Sequence, residues 1–108
     1  MTITNATRKR PIRKSRILKM IESNRRAVKA FGVKTIGLFG SEARETAKSS
    51  SDIDILVEFD RSTFDNYMGL KFFLEDLFGK KVDLVLRDAL KPALRTTVLD
   101  EVVYAQGF

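Results

Sequence analysis

The stretch from Leu38 to Glu58, LFGSEARETAKSSSDIDILVE, constrains this chain more than any other. An apolar strand pattern, Thr35 to Phe39, ends in Gly40-Ser41. A polar connector follows, and a second strand pattern then carries Asp52 and Asp54, one residue apart. Side chains on a strand alternate faces, so Asp52 and Asp54 point one way while Ile53, Ile55 and Val57 point the other. The two Cα atoms lie roughly 6.6 Å apart at about 3.3 Å of rise per residue. Carboxylates that close repel unless a cation, a proton or water intervenes. With the opposite side of the strand wholly aliphatic, a divalent metal answers that repulsion best. Oxygen-only ligands favour Mg²⁺ or Mn²⁺ over zinc.

The connector has its own chemistry. Ser41 to Ala47 reads as one or two helical turns, whose start presents unpaired backbone N–H groups to an anion. Gly40 lets the backbone approach a ligand closely, the Ser41 hydroxyl adds a donor, and Arg44 falls on the same helical face as Ser41. Together Gly40, Ser41 and Arg44 suit the phosphates of a nucleotide. Each also has a plainer reading. Gly40-Ser41 is compatible with an ordinary strand-to-helix turn, and Arg44 with an exposed ion pair to Glu42 or Glu45.

Composition narrows the chemistry. The chain of 108 residues has the length of one domain, with no cysteine and no histidine. That removes thiolate metal sites, disulfides and a Ser-His triad, and leaves carboxylates, hydroxyls, Lys, Arg and metal to do any catalysis. No apolar run is long enough for a membrane span and no signal peptide is evident, so the cytoplasm is the expected address. The net charge of +6 is uneven, because eleven of the 20 Lys and Arg residues lie in the first 34 positions beside one acid, Glu22. Residues 1–14 read as a basic, flexible arm and 15–108 as a single domain. The arm suits an acidic protein partner or nucleic acid, or is simply a solvated face. No aromatic interleaves Arg8 to Lys19, which weighs against direct nucleic-acid binding.

Periodicity supplies the remaining elements. Ile12 to Phe31 is helical, divided at Ser23-Asn24, which can cap a second segment, and Gly32 ends it. Residues 33–39 form the first strand, with Gly37 marking a close approach. Asp65 or Asn66 caps a helix carrying Tyr67, Leu70, Phe73, Leu74, Leu77 and Phe78, which Gly79 closes. That helix is apolar nearly all round, so core packing and a protein interface both fit it. Lys81 to Leu86 is a third strand holding Asp83, Pro92 to Asp100 a helix with Pro in its first turn, and Val102 to Tyr104 a closing strand.

Gly40-Ser41, ten residues, then Asp52-Ile53-Asp54 resembles the signature of the DNA polymerase β-like nucleotidyltransferases, in particular their minimal MNT-type branch. Phe31-Gly-Val33, Leu56-Val-Glu-Phe-Asp60, Val82-Asp-Leu-Val85, Leu90-Lys-Pro92, Val98-Leu99 and Val102-Val-Tyr104 are similar to that branch too, so the likeness runs from about residue 15 onward. The usual pattern reads GS-x-A-R-G. Here Glu45 replaces the last glycine, which suggests that the helix runs on by a residue and that Lys48 to Ser51 make the turn.

The resemblance implies an α/β (α+β) nucleotidyltransferase fold, a small mixed β-sheet packed with helices. It makes Asp83 the third carboxylate beside Asp52 and Asp54. These three would share two Mg²⁺ ions, with ATP as substrate and Gly40, Ser41 and Arg44 on its phosphates. Members of this branch are typically antitoxins that transfer AMP to a tyrosine of a HEPN ribonuclease toxin encoded nearby; for this chain a homo-oligomer and a hetero-oligomer with such a partner both fit. Two other functions fit the residues: an antitoxin that neutralises by binding alone, and nucleotidyl transfer to a small molecule such as an aminoglycoside.

Overall fold

The computed structural model describes residues 13–40, 43 and 52–108. The expected basic arm lies almost wholly outside them, as do Ser41, Arg44, Glu45 and the turn from Lys48 to Ser51. Two helices open the described chain, α1 (Lys14–Ser23) and α2 (Arg25–Ala30), and β1 (Val33–Phe39) and β2 (Ile53–Phe59) follow. Next come α3 (Phe64–Phe78), β3 (Val82–Leu86), a 3₁₀ turn over Arg87–Ala89, α4 (Pro92–Glu101) and the short β4 (Val103–Tyr104). The strands form one sheet in the order β3-β2-β1-β4. β1 runs antiparallel to both β2 and β4, while β2 and β3 are parallel. The parallel pair requires a crossover, and α3 supplies it. This is the small mixed sheet packed with helices that the resemblance implies.

The period of two in the sequence becomes the two faces of this sheet. Ile36, Leu38, Ile53, Ile55, Val57, Val82 and Leu84 meet Ile17, Ile21 and Val28 of α1 and α2 and Leu70, Leu74 and Phe78 of α3 in the main core. The opposite face is thinly covered: Leu56, Leu90 and Val98 form a small second cluster, flanked by Phe39, Val85, Leu99 and Val102. Gly37 does mark a close approach, since a Cβ there would stand 2.8 Å from the Val103 carbonyl oxygen and 2.9 Å from Val102 Cγ2.

Helix ends agree with the sequence at the glycines and differ at two caps. Gly32 (φ +83°) and Gly79 (φ +65°) take the left-handed conformation that ends a helix with least strain. The break at Asn24 is present, but Asn24 does not cap α2 with its side chain. At φ −109° and ψ 21° it is not extended as a capping residue is, and its amide instead donates to the Met20 carbonyl at 2.8 Å. At α3 the cap is Thr63, not Asp65 or Asn66. Thr63 is extended, and its hydroxyl accepts the Asn66 N–H at 3.1 Å. Asp65 falls in the first turn, where its charge favours the helix dipole.

Candidate active site

The second sheet face is apolar where α4 crosses it and acidic at the end where β1 stops. Parallel pairing sets Asp54 of β2 opposite Asp83 of β3, and antiparallel pairing sets Phe39, the last residue of β1, opposite Asp54. Register partners on neighbouring strands share a face, so Asp54 and Asp83 stand side by side. Asp52 immediately precedes β2. Asp52 and Asp83 are exposed and Asp54 is half-buried, whereas Ile53 and Ile55 between and beyond them are fully buried. The alternation read from the sequence therefore holds. Among the described residues, no three Asp, Glu, His or Cys side chains gather closely enough to form a ready-made metal site. The donor set is nevertheless all-oxygen and anionic, which fits a hard divalent cation.

Gly40 is built into this acidic end. Its φ of +72° is one that residues with a Cβ rarely adopt, and a Cβ placed there would run into the Asp54 carboxylate, with Asp54 Cγ at 3.0 Å. The chain leaving β1 thus passes directly over Asp54 before it reaches Ser41. On its other side the Gly40 N–H donates to Glu101 Oε1, at the end of α4, at 2.9 Å. Glu101 carries no motif and the sequence pattern does not single it out. Its one signal is a carboxylate in the last turn of a helix, where the dipole disfavours negative charge.

Two polar arrangements border the site. Along the same face, Glu58 accepts a bond from the Thr35 hydroxyl at 3.4 Å and lies 3.9 Å from Arg87. At the outer edge of β3, Glu75 Oε2 accepts the Val82 N–H at 3.0 Å and pairs with Lys71 at 2.9 Å, while the Tyr67 hydroxyl donates to the Leu84 carbonyl at 2.6 Å. The bond from Val82, then that from Lys71, holds the Glu75 carboxyl below its ordinary range. The bond to Glu75 raises Lys71, and the field of Asp83 adds to it. So α3 fixes the strand that carries Asp83.

Known proteins match both the sequence and the fold. The model of the nucleotidyltransferase domain matches residues 17–105. Protein adenylyltransferase MntA of Thermococcus cleftensis is 48% identical over 75 residues, covering 68% of this chain and 76% of that one. A solved structure assigned as a minimal nucleotidyltransferase is 37% identical and superposes with a TM-score of 0.66 over 80% of this chain and 93% of that one. The fold recurs at 24% identity in a toxin–antitoxin crystal structure with AMP-PNP, with a TM-score of 0.64 over 81% of this chain and 73% of that one. Sequence match over most of the length and a shared fold agree, and the chain belongs to the family of nucleotidyltransferase domains.

Proposed function

We propose that this nucleotidyltransferase is an antitoxin that transfers AMP from ATP to a tyrosine hydroxyl of a HEPN-type toxin. One observation carries the reading: the Gly40 turn is packed on Asp54, and Asp54 stands beside Asp83. Nucleotidyl transfer needs a phosphate-binding turn beside paired carboxylates, and this arrangement supports that reading. The likeness to the MntA adenylyltransferase supports AMP as the transferred group, and the resemblance to the MNT branch supports the toxin as acceptor.

Asp52, Asp54 and Asp83 would hold Mg²⁺, which when bound supplies positive charge to the phosphates and acidifies the attacking hydroxyl. Asp83, exposed at the strand start, is the group to orient that hydroxyl and receive its proton. Gly40, which has no side chain to stand in the way, lets the triphosphate approach the backbone closely, and Ser41 and Arg44 supply donors and charge to it. In-line attack on the α-phosphorus forms the new P–O bond as the bond to the bridging oxygen breaks, and pyrophosphate leaves. Positioning and charge stabilisation provide the rate.

The test is intact mass spectrometry of the product of the adjacent gene, coexpressed with this protein or with its Asp52→Asn/Asp54→Asn variant. A gain of one or more AMP units that the variant abolishes is the expected result. No added mass, despite a stable complex and full neutralisation of the toxin by both forms, would refute transfer and leave an antitoxin that acts by binding alone.

A further inference from the structure

We propose that Glu101 is a positioning residue for the nucleotide site, holding the Gly40 turn in the shape that receives phosphate; this rests on the nucleotide reading above. The β1–β4 ladder brings Gly40 and Glu101 together. Gly37 pairs with Tyr104 and Leu38 with Val103, so each step forward on β1 is a step back along the chain beyond β4. Continued by two residues, the register sets Gly40 opposite Glu101. The ladder stops short of that point, because the chain is helical through Glu101 and only becomes a strand at Val103. The Glu101 backbone is therefore committed to α4, and its side chain reaches over to accept the Gly40 N–H at 2.9 Å. The carboxylate replaces the missing rung.

What this rung does follows from its opposite side. Gly40 is pressed between Glu101 and the Asp54 carboxylate, against which it has no room for a Cβ. Its φ of +72° is left-handed, just past the end of β1. A glycine in open space would sample many other conformations. Fixed on one flank by a charge-assisted bond and on the other by packing, it has one. The placement of Glu101 argues for a role beyond stability. A carboxylate in the last turn of α4 opposes the helix dipole and lies on the side of the molecule that already carries Asp52, Asp54 and Asp83. Pre-ordering the turn removes an entropic cost that ATP would otherwise meet on binding.

The experiment is calorimetric titration of the whole chain with Mg·AMP-PNP, comparing wild type with Glu101→Ala, Glu101→Gln and the exposed control Asp100→Ala, each with its thermal midpoint. The Ala variant is expected to bind at least about tenfold more weakly. The Gln variant, whose amide oxygen accepts the same bond, should stay within about threefold of wild type, as should Asp100→Ala. Equal binding by wild type and Glu101→Ala overturns the inference, as does a Gln variant as weak as Ala. Should the Ala variant not fold, Glu101→Asp withdraws the acceptor by one methylene while keeping the charge. Several-fold weaker binding then supports the inference, and unchanged binding overturns it. No binding by wild type overturns the nucleotide reading itself, and this inference with it.

Discussion

Fold and chemistry make the same demand at Gly40 and opposite demands at Asp83. Replacing Gly40 by Ala places a methyl against the Asp54 carboxylate in a left-handed conformation. The backbone strain alone is about 1–2 kcal/mol, and the collision adds to it. Gly40→Ala is therefore expected to lose both stability in urea denaturation and nucleotide binding, and retention of both would show that the turn can move off Asp54. Asp83 behaves in the other direction. It is exposed and sits opposite another carboxylate, so Asp83→Asn relieves a like-charge pair and is expected to gain about 0.2–1 kcal/mol of stability. The same change should slow adenylyl transfer by at least about 10²-fold, the size typical of losing a general base. A variant that is less stable yet fully active would make Asp83 a structural residue and remove it from the site.

Elements explain how an edge strand can carry such a residue. β3 is an edge strand, and α3 covers its free edge with two side chains eight residues apart, Tyr67 on the Leu84 carbonyl and Glu75 on the Val82 N–H. Tyr67→Phe is expected to cost about 0.5–1.5 kcal/mol, as for one hydrogen bond, measured by denaturation. The Glu75 bond is also pH-dependent. Its carboxyl titrates below the ordinary 4.5 in the folded protein, so its contribution is complete above that value and is lost as pH falls through the lower folded pKa. Lys71 is raised above 10.5, so its share is complete below 10.5 and is lost as pH rises through the folded value. Amide exchange at Val82 should therefore accelerate, relative to a core amide such as Ile55, only below pH 4.5 or above 10.5. In Glu75→Gln the acid limb should disappear. An unchanged acid limb in that variant would mean that another carboxylate guards the edge.

The molecule as a whole was legible in the sequence where one local rule decided the outcome. The strands, the helix ends at Gly32 and Gly79 and the outward-facing Asp pair all follow from periodicity and backbone conformation. The missing side-chain cap at Asn24 and the cap at Thr63 were not legible, because several residues with capping side chains compete and tertiary packing decides which of them is extended. Glu101 was not legible because its role depends on β4 lying beside β1, which no local pattern reveals. That dependence gives the last test. Residues 92–97 of α4 are exposed, and the helix is held mainly by Val98 and Leu99 against the small cluster around Leu56 and Leu90. The main core lies on the other face and does not need it. Val98→Ala removes the equivalent of two methylenes, about 1.6 kcal/mol, or somewhat more than tenfold in an opening equilibrium. Amide exchange through 92–104 is expected to quicken by that factor while Ile55 and Leu74 keep their protection, and nucleotide affinity should fall with it as Glu101 leaves Gly40. Equal acceleration everywhere would show instead that α4 opens only when the whole domain unfolds, and that the proposed nucleotide site is as rigid as the core beneath it.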